Sequence, residues 1–95
     1  MIESWANSAT RRFALEGKVS RFRRLNVECA MDLLAALDSA TALSDLSPLK
    51  SFGLHRLRGD RQGQWAMAVN GPWRICFRFR RGDAYDVEIV NYHKG

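Results

Sequence analysis

Residues 64–90 read QWAMAVNGPWRICFRFRRGDAYDVEIV, and the alternation of large apolar with polar or small side chains along them decides the fold. Trp65, Met67 and Val69 share one face of the first run, with Gln64, Ala66 and Ala68 on the other. Asn70-Gly71-Pro72 then supplies turn chemistry. The next run sets Trp73, Ile75, Phe77 and Phe79 against Arg74, Cys76, Arg78 and Arg80. After a second turn signal at Gly82-Asp83, Tyr85, Val87 and Ile89 alternate with Asp86, Glu88 and Val90. Upstream, LHRLRGDR at 54–61 adds one more strand and its turn, so Leu54 to His93 reads as a four-stranded antiparallel meander.

Register follows from matching faces, because residues opposite one another in an antiparallel pair point the same way. A two-residue loop at Gly82-Asp83 would set Arg78 against Val87 and mix the faces. A three-residue loop keeps Phe77 and Phe79 beside Val87 and Ile89, and is the expectation. Two such registers exist; both send Arg74 and Tyr92 to one face, and one sets them directly opposite. The same argument at the first turn brings Ala68 to Arg74 and Ala66 to Cys76. The face away from the core is then a floor of Ala66, Ala68 and Cys76 rimmed by Arg74, Arg78 and Tyr92, with room for an anion.

The first half supplies the cover for the apolar face. Met1 to Trp5 suits an edge strand. Asn7 or Ser8 caps a helix carrying Ala9, Phe13 and Leu15 and ending at Gly17. Lys18 to Arg24 is a basic connector with Val19 and Phe22 as its buried points. Asn26 caps a second helix with Val27, Ala30, Met31, Leu34 and Leu37 at helical spacing, and Glu28, Asp32 and Asp38 turned to water. Ala40 to Ser47 offers one further turn of helix, with Leu43 and Leu46 inward and Pro48 as its stop. The expected architecture is α+β: a small antiparallel meander with N-terminal helices packed on one face, in a single domain spanning 1–95.

A chain of 95 residues with 46% hydrophobic and 11% aromatic residues is globular rather than disordered. No apolar run approaches the ~20 residues needed to span a bilayer, and Met-Ile-Glu-Ser-Trp-Ala lacks the pattern of a secretory signal. Cys29 and Cys76 fall in unlike contexts, a helix face and a strand, as reduced thiols of a cytoplasmic protein would. Net charge is +5, unevenly spread: Lys50 to Arg81 holds eight Lys or Arg residues and a single acid, Asp60. Such a basic stripe suits a polyanionic partner such as nucleic acid.

His55 and His93 are the two histidines, one at each end of the meander, and each can exchange a proton near neutral pH. They match no zinc spacing, and neither a metal nor a cofactor is expected. Arg58 and Arg61 flank Gly59-Asp60 in a turn, where guanidinium groups can fork onto phosphate oxygens. Arg74 sits mid-strand on the small-residue floor. Arg78 suits a cross-strand pair with Asp86 or Glu88, and Tyr92 brings a phenol to the Arg74 face. Residue chemistry alone describes a basic binding face able to do acid–base work on a phosphate-bearing ligand, without choosing an enzyme.

Three segments carry a resemblance: LHRLRGDR at 54–61, GPWRICFRF at 71–79 and GDAYDVEIVNYH at 82–93. Together, and with Leu-Asp-Ser-Ala-Thr at 37–41, they resemble the HigB toxins of the RelE/ParE superfamily of toxin–antitoxin systems. The resemblance implies a RelE-like fold and a ribosome-dependent endoribonuclease that cuts messenger RNA in the decoding site. It further implies neutralisation by a helix-turn-helix antitoxin of the HigA kind. The family's catalytic positions fall on His55, Arg58, Arg74, Tyr92 and His93, with Arg56, Arg61 and Arg78 as candidate substrate-binding residues. The chain differs from the usual pattern at Arg58, commonly lysine, and at Asn91, often aspartate. Two other readings share the same face: a ParE-like toxin that inhibits gyrase without nuclease activity, and a noncatalytic RNA-binding module.

Overall fold

Asn7 opens the first helix, α1 (Ser8–Glu16), by accepting a hydrogen bond from the Thr10 amide at 2.8 Å. Gly17 closes it at φ +78°, its amide donating to the Phe13 carbonyl at 2.7 Å. Asn26 plays the same opening part for α2 (Val27–Ser39), accepting from the Cys29 amide at 3.0 Å. The computed structural model describes residues 1–17, 20–46 and 53–91. The expectations at Val19, Pro48, Tyr92 and His93 therefore lie outside the described residues.

Phe13 of α1 and Ala30, Leu33, Leu34 and Leu37 of α2 form the helical side of the core. Leu15, expected inward, is 69% exposed, because two residues beyond Phe13 is about 200° around the helix. Val27 also departs from expectation at 42% exposed. It shares the apolar stripe, but at the first helical residue its side chain tilts past the helix end. Leu33 is buried instead. A 3₁₀ turn at 43–46 then carries Leu46 fully inside and Leu43 partly so.

The sheet has the expected order β1-β2-β3-β4, every pair antiparallel: β1 (His55–Arg56), β2 (Trp65–Asn70), β3 (Trp73–Arg80) and β4 (Asp83–Asn91). Met67, Trp73, Ile75, Phe77, Val87 and Ile89 are buried beneath the helices, while Trp65 and Phe79 are partly covered. Ala66 pairs with Cys76 and Ala68 with Arg74, as face-matching requires; an irregularity at Val69 leaves a two-residue turn at Gly71-Pro72. Asn70 ties this turn to the preceding connector, accepting from the Asn26 amide at 2.7 Å and donating to the Arg24 carbonyl at 2.9 Å. Phe22 of that connector packs edge-on against both Phe13 and Trp73.

The second hairpin corrects the expected loop. Arg80 pairs with Asp83, leaving a two-residue turn of Arg81 and Gly82, both left-handed at φ +50° and +83°. That is the turn type whose twist suits a hairpin, although Arg-Gly is not its usual signature. Faces stay matched because β4 carries a bulge: Cys76 pairs with Glu88 but Arg78 with Tyr85, so two residues stand against Phe77. Asp86, at φ +52°, is the extra residue. Tyr85 consequently shares the Arg78 face instead of joining Val87 and Ile89, while Ala84 turns inward and is fully buried.

The N-terminal segment lies parallel to the outer edge of β4 through bridges Ile2–Ala84 and Trp5–Val87. The edge expectation holds there, as isolated bridges rather than a regular strand. No helix among the described residues is long and apolar enough to cross a membrane.

Candidate functional site

Pairing across all four strands sets His55, Ala66, Cys76 and Glu88 in one row on the face opposite the helices. A neighbouring row on that face contains Ala68, Arg74 and Val90, and a further pair is Arg78 with Tyr85. Two strand spacings and two residues of rise put the His55 and Arg74 Cα atoms about 12 Å apart. Both side chains stand on this face.

The expected open floor is closed at its centre. Leu57 lies over Ala66 and Cys76, with Val90 against them, and Cys76 is fully buried. The chain reaches this position because residues 57–64 fold back over the sheet. The Leu57 amide donates to the Gln64 carbonyl at 2.9 Å, and a 3₁₀ turn over Gly59–Arg61 bends the loop with Gly59 at φ +67°. Arg58 is exposed on this loop. Arg61 reaches across to Glu88 at 3.2 Å and to Gln64 Oε1 at 3.1 Å, both ends of the ion pair largely covered. Gly63 backs onto Arg78, where a Cβ would come within 2.8 Å of Nη1.

Arg78 takes Asp86 as its carboxylate, 3.5 Å away, which is one of the two expected partners. Arg56 projects to the helix-side face with its guanidinium 5.4 Å above the Trp65 ring, apart from His55 and Arg74. Arg74 donates through Nη1 to the Gly71 and Trp73 carbonyls at 2.8 and 2.9 Å, which anchors the guanidinium. No carboxylate pairs with Arg74 among the described residues. The exposed His55 ring holds Nδ1 2.6 Å from the Gly53 carbonyl. A carbonyl only accepts, so the proton resides on Nδ1 and a neutral ring offers Nε2 as its acceptor. Burial pushes the Cys76 thiol up; Arg61 and Arg74 oppose this and Glu88 adds to it. The thiol is therefore protonated packing rather than a nucleophile.

The geometry thus brings His55 and Arg74 to one face, with Arg58 on the loop above and Arg61 engaged beside it. Sequence reasoning missed the Arg61–Glu88 pair and the lid formed by Leu57. The available signal was Glu88 sharing the Cys76 face by simple alternation. Comparison with known proteins bears on the same chain length. A family profile described as the RelE-like toxin of type II toxin–antitoxin system HigB matches residues 3–93. The chain belongs to the HigB family of RelE-like toxins. A relative, Endoribonuclease HigB of Proteus vulgaris, is 36% identical over 93 residues, covering 98% of this chain and 100% of that protein. The HigB match extends through Tyr92 and His93, and the two helices with a four-stranded antiparallel meander are consistent with a RelE-like fold.

Proposed function

We propose that this HigB-family toxin is an endoribonuclease that cuts messenger RNA in the ribosomal decoding site, using the RNA's own 2′-OH as nucleophile. The observation that carries this reading is the shared face of His55 and Arg74, where the guanidinium is anchored by two carbonyls and lacks a carboxylate partner among the described residues. The name of the Proteus vulgaris relative supports the endonuclease assignment. Membership of a type II toxin–antitoxin family supports an antitoxin as the neutralising partner, here taken to be a HigA-like helix-turn-helix protein.

In-line attack needs a base for the 2′-OH proton, cations for the phosphorane-like charge, and an acid for the departing 5′-oxygen. Arg74 and Arg58 hold the scissile phosphate, with Arg61 assisting. His55, whose Nε2 is the acceptor when the ring is neutral, is suited to take the proton, and Tyr92 or His93 supplies the second proton-transfer group. The bond from 2′-oxygen to phosphorus forms as the bond to the 5′-oxygen breaks, leaving a cyclic phosphate and a 5′-hydroxyl. The ribosome supplies orientation, so a sparse constellation acts on a held substrate.

Arg74→Ala is expected to lower transcript cleavage by ~10²-fold or more with an unchanged circular dichroism spectrum. Unchanged cleavage removes Arg74 from the reaction. Replacing the 2′-OH at the cut site by hydrogen abolishes cutting if the RNA is the nucleophile. Gyrase-dependent DNA damage without mapped transcript ends would instead support the ParE-like alternative.

A further inference from the structure

Resting on that endonuclease reading, we infer that Glu88 is a positioning residue: through Arg61 it clamps the 57–64 loop across the sheet and so holds Arg58 and His55 in working geometry. Strand β1 has two residues and two pairing positions, too little ladder to fix the loop that leaves it. Gly59 and Gly63 give the loop two left-handed points, at φ +67° and +91°. Three contacts restrain it: Leu57 over Ala66 and Cys76, Gly63 against Arg78, and Arg61 on Glu88. The last is the charged contact to β4, the far strand from β1 in the sheet order, where Val90 also packs against the Leu57 cluster. Side-chain exposures of 29% and 25% keep the pair partly out of water, where it is less screened than a surface pair. Glu88 is itself steadied by the Asn7 amide at 3.4 Å, which joins the loop to the start of α1.

The assignment changes what Arg61 is expected to do. A guanidinium held by Glu88 and Gln64 acts mainly through the loop it anchors, not through RNA. Glu88→Gln keeps the shape and removes the charge, so it separates these roles. As a positioning residue, Glu88 gives a fall of about tenfold in the cleavage rate of bound substrate, since a displacement of ~1 Å can cost up to ~10²-fold. Substrate KM should change little. Arg61→Gln should match it, and the double variant should lose no more than either single one. Backbone amides of 57–64 should exchange faster while those of β2 and β3 do not. Transcript cleavage by the wild-type protein tests the endonuclease reading itself, and Arg74→Ala, run beside these, tests whether the reaction uses this face.

If Arg61 instead binds RNA directly, Glu88→Gln frees it, and cleavage or binding is unchanged or rises; that result overturns the clamp. Loss of cleavage on Arg74→Ala with full activity of Glu88→Gln sinks the clamp alone. Full activity of both removes Arg74 from the reaction along with the clamp; transcripts left uncut by the wild-type protein sink the endonuclease reading, while hydrogen exchange still reports whether the loop is held by Glu88. Should the Gln variant fold poorly, the reversed pair Arg61→Glu with Glu88→Arg decides: recovery of loop protection and cleavage relative to either single reversal supports the clamp, and none overturns it.

Discussion

The two faces of the sheet are built on different principles. Beneath the helices, Met67, Ile75, Phe77 and Val87 are buried by two helices, and the packing is set by volume. On the other face Leu57, Ala66 and Cys76 form a much smaller apolar cluster, held down by one loop and an ion pair. The first arrangement resists change through many mutual contacts. The second can be altered by a few side chains, and it lies beside His55 and Arg74. Stability and candidate chemistry are thus largely segregated onto opposite sides of a single layer.

Breaking the helix-side face should have the largest effect. Phe77→Ala should destabilise the fold by about 3–5 kcal/mol, read from the denaturation midpoint. That is a large share of the ~5–15 kcal/mol typical of a domain. Leu57→Ala should cost less, about 2–3 kcal/mol, because the sheet beneath remains covered by its helices. A cost equal to that of Phe77→Ala would mean that the two faces form one core. Arg78→Ala should fall below ~1 kcal/mol, because its pair with Asp86 is about half exposed and screened by solvent.

Thiol chemistry sharpens the same contrast. Burial raises the Cys76 pKa from the ordinary 9.0, and burial with Asp32 nearby raises that of Cys29. Each folded thiol therefore keeps its proton to higher pH than the unfolded one. Its contribution to stability is complete below 9.0 and declines as pH rises through the folded value. Alkylation of Cys76 should require opening of the 57–64 loop, whereas the partly exposed Cys29 reacts first; equal rates would show that Leu57 does not seal the cluster.

Alternation and capping residues carried the fold. The β3 limits, the Asn26 cap, the Gly17 stop and the Ala66–Cys76 and Ala68–Arg74 pairs are all readable from residue order, and the first cap is narrowed to Asn7 or Ser8. The second hairpin was not, because Arg81-Gly82 lacks the usual turn signature and a bulge at Asp86 is silent in a period-two pattern. The seat of Arg74 beside Ala68 follows from register, whereas that of His55 waits on the short β1–β2 pairing, which alternation over two residues does not set. The closure by Leu57 does not follow from register either, since a loop folding back over its own sheet leaves no periodic trace. Pairing choices such as Arg61 with Glu88, rather than Arg78 with Glu88, depend on where that loop travels.

The bulge on β4 counts differently for its two neighbours. Toward β3 the strand holds one residue too many, so removing Asp86 would leave every partner facing as before. Toward the N-terminal segment the tally is even: Ile2 to Trp5 matches Ala84 to Val87, with the Ser4 hydroxyl receiving the Asp86 amide at 2.9 Å. A deletion at Asp86 would thus be absorbed on one flank and throw the other out of step. The kink serves as a key that admits the leading segment in a single alignment.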